Sequence, residues 1–301
     1  MASFRRILLV ALAEWCDALR SRRALVLFAL YLITSALCMY GTISVLAKME
    51  REIASLLALP ADGPSGIVTE SLWRSESFRR LVSSAVGDSL VFNDLLKHHP
   101  VELLYAWFAF LLAPMLVVLV SGGRIAGERQ TGSVRYMLMR VTRFEWSVGK
   151  YAGQAILVAS ALVASAFVVW AIAWWRLPSS SAAGLLVPVF CWSVKAWVYS
   201  LSWLGLALGL SHLMRSTGKV TALCLVFIVA FAAFPNILEH FAAEGGWQSV
   251  LLHFKALVPS GAERGLWRDS PVSLVCSSFH LVTLGLVYLM AGAAVFARRD
   301  A

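Results

Sequence analysis

The stretch Gly122–Lys150, GGRIAGERQTGSVRYMLMRVTRFEWSVGK, separates two long apolar runs of the chain. It contains six basic and two acidic residues, whereas the runs before and after it (103–121 and 151–175) carry no charged side chain. Such alternation of apolar and polar sequence is typical of a chain that crosses a membrane several times. The stretch therefore predicts a polar connection between two spans, on one side of a bilayer.

The composition of the 301-residue chain excludes an ordinary soluble domain. Hydrophobic residues make up 59% and charged residues only 14%, against about a quarter charged in a typical globular protein. Several apolar runs reach the roughly 20 residues that cross a hydrocarbon core of about 30 Å. We therefore predict one all-α polytopic membrane domain, 1–301, with six spans at about 24–47, 101–121, 151–175, 184–211, 219–238 and 272–297.

Residues 1–23 imitate a signal peptide, but another element fits them better. The apolar core after Arg5-Arg6 is short, Ile7–Ala13, and Glu14 follows it at once, which is unusual for a signal peptide. Apolar side chains recur instead on one face of a helix, at Phe4, Leu8, Leu12, Trp15 and Leu19. We predict an interfacial helix that leads into the first span.

Lys and Arg residues are distributed unevenly between the two sides that six spans define. The side with both termini and the stretch 122–150 carries 15 of the 26 Lys and Arg residues and a net charge of +10. The segments on the other side are slightly acidic overall. Because basic connections stay in the cytoplasm, both termini are predicted to be cytoplasmic.

Two sizeable segments are predicted on the outer side. Residues 48–100 begin as a helical extension of the first span, and the apolar spacing from Leu72 to Leu95 predicts a second helix on the outer face. Residues 239–271 are half apolar and interrupted by Gly245-Gly246 and Pro259. This second segment either dips into the outer leaflet and returns, or forms a surface helix and turn.

Few charged groups lie within the predicted spans, where they would mark an ion pathway. Lys195 is the clear case, and the spans offer it no obvious carboxylate partner, so snorkelling or cavity lining is favoured over proton relay. Glu102 is expected at the outer mouth of its span, in contact with water. His98 and His99 nearby could hold a metal ion, but a solvated loop end fits better, and we predict no metal site.

Motifs for catalysis and nucleotide binding are missing from the sequence. Thr217-Gly218-Lys219 ends like a phosphate-binding loop but has Leu213 where a glycine is required and Val220 where Ser or Thr is required. We find no hydrolase or metalloprotease signature, and the five cysteines show no paired spacing. We predict no catalytic residue and no directly bound cofactor, so the chain by itself is not an enzyme.

Two Gly-x-x-x-Gly pairs, Gly149–Gly153 and Gly205–Gly209, place small residues on one helix face. This spacing allows close approach of a second helix. It predicts helix packing, within the chain or at a dimer seam.

Residues 127–139 of the opening stretch are predicted to form a short amphipathic helix. Its apolar stripe would be Val134, Met137, Leu138 and Val141, and its polar face would be Glu128, Arg129, Arg135 and Arg140. Such a helix could lie on the inner leaflet and bind anionic lipid. It could equally enter a groove of a partner protein.

The part from Glu128 to Lys150 resembles the signature of ABC-2-type transporter permeases. Their second and third spans are typically joined by Glu-x-x-x-Gly-Thr-Leu-x-x-Leu-Leu-x-x-Pro-x-x-Arg and then Gly-Lys. Ser133 replaces the usual Thr, and the usual Pro is absent near Val141. The positions that match are Glu128, Gly132, Leu138, Arg143, Gly149 and Lys150.

This resemblance implies a transmembrane subunit of a bacterial ABC transporter in the inner membrane, without nucleotide chemistry of its own. ATP and Mg²⁺ would be bound by a separate ATPase, two copies of which would pair with two permease copies, identical or closely homologous. The 128–140 region would be the coupling helix in a cleft of the ATPase, and the helix at 1–20 would pack beside it. The residues implied to couple are Glu128, Gly132, Ser133, Arg135 and Arg143.

The cargo and direction follow less directly from the resemblance. Such permeases generally serve export, and some transmit force to a periplasmic partner, for which the segment 48–100 is the candidate surface. One alternative is a membrane scaffold or assembly factor that uses the same loop to bind lipid or another partner. A weaker alternative is an ion-coupled carrier in which Lys195 lines the pathway.

Overall fold

A computed structural model describes residues 2–56, 94–95, 97–177, 179–244 and 254–299. Within these ranges the chain is helical and contains no strand, which confirms the all-α fold class. The helices are α1 (Ala2–Arg20), α2 (Arg22–Leu56), α3 (Pro100–Ser121), α4 (Arg124–Thr131), α5 (Val134–Leu138), α6 (Arg143–Arg176), α7 (Ser179–Leu213), α8 (Thr217–Glu244), α9 (Pro259–Leu266) and α10 (Pro271–Arg299).

Among the described residues, six helical stretches are long and apolar enough to cross a membrane, as the hydropathy pattern predicts. They are Arg22–Lys48, Pro100–Thr131, Arg143–Arg176, Ala183–Leu213, Thr217–Phe234 and Pro271–Arg298. The third begins at Arg143 and not near 151, so the prediction of a loop through Lys150 is wrong for its last eight residues. The cause is a capping box, in which the Thr142 hydroxyl accepts from the Glu145 amide (3.2 Å) and the Glu145 carboxylate accepts from the Thr142 amide (2.9 Å).

Helix α7 lies at the centre of the fold, in contact with α3, α6, α8 and α10. The backbones of α7 and α10 approach closely at their seam: a methyl group on Gly205 would overlap the backbone carbonyl of Gly285. On its other side, polar groups buried between the spans find partners. The Tyr105 hydroxyl of α3 lies 2.6 Å from the Ser193 hydroxyl of α7 and 3.1 Å from the Ser165 hydroxyl of α6.

Helix α1 packs along the first turns of α6, which fixes one end of the molecule. A Cβ on Gly153 would lie 2.6 Å from the carbonyl oxygen of Ala11, so only glycine allows this approach. Both Gly-x-x-x-Gly pairs therefore lie in seams within the chain. The apolar face of α1 with Phe4, Leu8 and Leu12 stays exposed, as expected of a helix in the membrane interface. We call this end of the molecule the α1 side.

The end opposite to α1, which we call the far side, contains the start of α3 and the segment before α10. As predicted, α2 continues beyond its span, to Leu56; the second outer helix predicted from Leu72 to Leu95 falls mostly outside the described residues. The ring centroids of Trp267, after α9, and Phe110 of α3 are 5.0 Å apart. Phe110 is ten residues, about 15 Å, inside α3. Trp267 thus contacts a side chain well inside α3, while residues 245–253 of the segment lie outside the described residues, so both alternatives for 239–271 stay predictions.

Candidate functional site

The polar connection between α3 and α6 contains two short helices. Helix α4 continues α3 after the turn at Gly122-Gly123 and ends at Gly132, which has a left-handed φ of 75°. The hydroxyls of Thr131 and Ser133 both donate to the Glu128 carbonyl oxygen, at 3.2 and 3.3 Å. The prediction of one continuous helix over 127–139 is therefore wrong, because the left-handed residue ends α4 before α5 begins.

A buried charge cluster connects α1, α4 and α6. The Lys150 ammonium of α6 donates to the carboxylates of Glu14 on α1 and Glu128 on α4. The Gln154 amide donates to Glu14 at 2.6 Å and accepts from the Ser121 hydroxyl at 2.8 Å. We call Glu14, Ser121, Arg124, Glu128, Lys150 and Gln154 the charge cluster.

The charges of this cluster balance. Arg124 lies 3.8 Å from Glu14, so two basic groups face two carboxylates. Burial raises the pKa of the Glu14 carboxyl, but Lys150, Arg124 and Gln154 more than offset that effect, and its pKa lies below the ordinary value. Glu14 is therefore ionised at neutral pH, and removing Lys150 alone would leave two buried carboxylates with one cation.

Two arginines connect the same region to the end of α10. The Arg129 guanidinium lies 4.7 Å from the ring centroid of Phe296 and donates to the His212 carbonyl at the end of α7. Arg143 lies 5.5 Å from the same ring and donates to the Ala297 carbonyl at 2.9 Å. Helix α4 is thus tied to the ends of both α7 and α10, and the start of α6 is tied to the end of α10.

A histidine at the end of α7 completes the buried contacts on the α1 side. The Nδ1–H of His212 donates to the Leu208 carbonyl (2.8 Å), so its Nε2 accepts from the Ser147 hydroxyl of α6 at 3.0 Å. The His212 ring also meets Trp146 edge-on at 5.8 Å. These contacts fix α6 and α7 to each other next to the charge cluster.

The exposed surface of α5 and of the two residues after it consists largely of large side chains. Val134 packs into the core, whereas Tyr136 is 74% and Met139 is 79% exposed. Arg135 and Arg140 flank them and are also exposed. The predicted polar face is therefore half wrong: Glu128 and Arg129 belong to α4 and turn toward the spans. We call Arg135, Tyr136, Met137, Met139 and Arg140 the α5 surface.

Lys195 lies far from this region. Its ammonium is 4.0 Å from the ring centroid of Trp192, near the far side. The sequence offers Lys195 no obvious carboxylate partner within the spans, and the carboxylates that attract its charge, Asp269, Glu102 and Asp94, belong to the far side. Asp269 and Asp94 lie outside the spans, so a search within the spans could not find them.

A histidine joins two segments of the far side. His98 Nδ1 lies 2.9 Å from Glu102, and its Nε2 lies 3.2 Å from Asp269, in the segment before α10. Glu102 is only 3% exposed, so the expectation of a hydrated carboxylate is wrong. The hydrogen bond to Glu102 raises the pKa of His98, burial offsets part of this, and Asp269 adds to it. Among the described residues, no group of three His, Cys, Asp or Glu side chains is arranged to hold a metal ion.

The structure brings together four of the five predicted coupling residues. Glu128, Gly132 and Ser133 form the end of α4, and Arg143 begins α6, while Arg135 projects from α5. Sequence analysis missed Glu14, Gln154 and His212. A signal existed for Glu14 alone, since it interrupts an apolar helix face; its partner Lys150 is 136 residues away.

Comparison with known proteins gives the family. A search of curated proteins found no similar sequence. A family model described as ABC-2 family transporter protein matches residues 8–301. Because this match covers nearly the whole chain, including all six spans, the protein belongs to the ABC-2 family of transporter proteins.

Proposed function

We propose that this chain is the transmembrane subunit of an ABC exporter and forms its translocation or force-transmitting pathway. The family supports a transporter subunit. The sequence contains no nucleotide-binding loop, so a separate ATPase would bind ATP and Mg²⁺ and supply the energy. Export is the direction that the resemblance of Glu128–Lys150 implies.

The observation that carries this proposal is the α5 surface. Aromatic residues, methionine and arginine are enriched where proteins bind one another, and here Tyr136, Met139 and Arg135 project together beyond the spans. An anionic lipid surface would also accept these side chains, since tyrosine and apolar residues partition into the membrane interface, and the resemblance of Glu128–Lys150 to ABC-2-type permeases favours a protein partner. We infer that an ATPase subunit covers this surface.

The contacts behind the α5 surface provide a route for transmitting force. Helix α4 is held to α6 through Glu128 and Lys150, and to α7 and α10 through Arg129. A displacement of α5 by the ATPase would therefore reach three spans without any covalent chemistry in this chain. Gly132 and Ser133 keep α4 and α5 at a set angle, and Arg143 anchors the start of α6.

Orientation and assembly follow from the same proposal. The basic connections favour an α1 side that faces the cytoplasm, where ATP is available, and the resemblance implies the inner membrane of a bacterium. Helices α2 and α8 are peripheral, and few of their described side chains are fully buried. These faces suit a second permease copy, and the segment 48–100 would meet any periplasmic partner.

Purification from native membranes in a gentle detergent tests this function. We expect an ABC ATPase, identified by mass spectrometry, to co-purify in stoichiometric amounts. Replacing Tyr136 and Met139 with Ala should weaken its binding by roughly tenfold or more, as for central interface residues. Phe279→Ala is the matched control, because Phe279 is also 74% exposed but lies on α10 within its span.

Two results would count against the proposal. If wild-type protein purifies without an ATPase, the scaffold alternative gains support. If an ATPase binds equally well to wild-type and Tyr136→Ala/Met139→Ala proteins, the α5 surface is not its docking site.

A further inference from the structure

The charge cluster has a feature that its role in folding does not require. A single ammonium group, 2% exposed, serves two carboxylates that come from two different helices. Gln154 and Ser121 extend the hydrogen-bonded chain to α3. The Lys150 ammonium therefore joins three elements: the entry helix α1, helix α4 of the polar connection, and the third span, α6.

Besides the charge cluster, Arg6 of α1 lies 3.7 Å from Glu145 of α6, and between these two polar contacts the α1–α6 seam is apolar. Gly149 and Gly153 present no side chains to α1, and Val10 and Ala11 pack directly against them. Small residues of this kind allow close helix approach. Because Glu14, Lys150 and Gln154 are buried, their hydrogen bonds hold α1 at its axial position on α6 more strongly than the half-exposed pair of Arg6 with Glu145 does.

Separating any one of the three helices would be costly because the charges are buried. If α4 moved away from α6, Glu128 would lose the ammonium that compensates its charge. If α1 moved, Glu14 would lose both Lys150 and Gln154. Small displacements of α5 are thus passed to α1 and α6 together.

We propose that Lys150 is a positioning residue that makes α1, α4 and α6 move as one body, so that α1 transmits the motion as well. This inference rests on the proposed function, since the driving motion comes from the ATPase. It assigns a mechanical role to Glu14 and to the entry helix. Lys150 itself contacts neither the ATPase nor the cargo.

The test uses a variant that keeps the charges balanced. Lys150→Met alone leaves two carboxylates facing Arg124 and can fail to fold. In Lys150→Met/Glu14→Gln, the remaining charges are Arg124 and Glu128, one turn apart on α4, so the protein should fold and insert normally. Lys150→Arg keeps the charge, and Lys219→Met is the control for loss of an exposed basic group on the same side.

The first measurement needs no ATPase. In purified permease, amide hydrogen exchange of α1 should be faster in the double variant than in wild type, and close to wild type in Lys150→Arg and Lys219→Met. Unchanged exchange in α1 would overturn the proposal while leaving the proposed function intact.

The second measurement uses the permease–ATPase complex in liposomes. The double variant should bind the ATPase as wild type does, but permease-dependent stimulation of ATP hydrolysis should fall about three- to tenfold. Lys150→Arg should recover most of it. Wild-type stimulation in the double variant would overturn the proposal, whereas absence of an ATPase from the wild-type complex would refute the proposed function instead.

Discussion

Two single residues contribute in different ways, Gly132 through its backbone conformation and His98 through its protonation. Gly132 ends α4 with a positive φ that other residues rarely adopt. The imidazole of His98 lies between two carboxylates, so its protonation decides how well it bonds to both. One residue shapes the α1 side and the other joins two segments of the far side.

Gly132→Ala isolates the effect of backbone conformation. No atom lies within 4 Å of the position that a Cβ would occupy, so the substitution causes left-handed strain and no clash. We expect a loss of about 1 kcal/mol in the free energy of unfolding, with weaker ATPase docking as α5 turns. Thermal unfolding of the purified permease measures the first effect.

Gly218→Ala is the matched control for this prediction. Gly218 also has open space at its Cβ position, but it lies in α8 without a positive φ. Equal stability losses in the two variants would show that conformation at Gly132 is not the cause.

His98 should make stability depend on pH. Its pKa is raised in the folded protein by Glu102 and Asp269, so protonation stabilises the fold. This contribution is complete below the unfolded pKa of about 6.5 and is lost as pH rises through the higher folded-state pKa. Thermal unfolding should therefore show a larger stability loss on alkalinisation in wild type than in His98→Gln.

Other charged groups lie near His98, so their own titration has to be compared with the pH range of the experiment. Asp94 accepts from Lys97 at 2.6 Å and from the Asp269 amide at 3.2 Å, and Lys195 lies behind Trp192. The hydrogen bond between Asp94 and Lys97 lowers the pKa of the Asp94 carboxyl and raises that of the Lys97 ammonium, so neither group titrates between pH 6 and 8. Equal pH profiles for wild type and His98→Gln would exclude this source of pH dependence.

At the scale of helices, hydropathy predicts which segments cross the membrane. It does not predict where the connecting helices break or which buried side chains pair. The six spans follow from apolar length, since each must satisfy its backbone within the membrane. The break at Gly132 and the early start of α6 at Arg143 depend on one φ angle and one capping box. The pairing of Glu14 with Lys150 depends on which helices become neighbours. Helix neighbours cannot be predicted from residue spacing along the chain.

The α7–α10 seam gives a prediction at this scale. Gly205→Ala would place a methyl group against the Gly285 backbone, which cannot move aside as a side chain can. Overpacking of this kind costs about 1–3 kcal/mol or more, so we expect aggregation or a lower unfolding temperature in detergent. Gly184→Ala in the same helix has open space at its Cβ and should behave like wild type; similar defects in both would contradict the argument.

Across the whole molecule, the two ends differ in the polar groups that they contain. The α1 side has a balanced buried charge cluster and an exposed α5 surface, which suit a mechanical connection to a partner. The far side has His98, Lys195 and carboxylates around Trp192 and Trp267. Helix α7 carries His212 at its α1-side end and Lys195 near its middle, so it connects the two clusters.

This arrangement predicts how Lys195 behaves. Because its ammonium packs over Trp192 and faces Asp269 and Glu102, we expect it to hold far-side segments together and not to carry protons. In liposomes with an imposed pH gradient, proton flux through purified wild-type permease should equal that through Lys195→Met. Both should bind the ATPase equally, because Lys195 lies on the side away from α5. A gradient-driven flux that Lys195→Met abolishes would instead support the ion-coupled carrier, since an ammonium group within a span would then be exchanging protons with both sides.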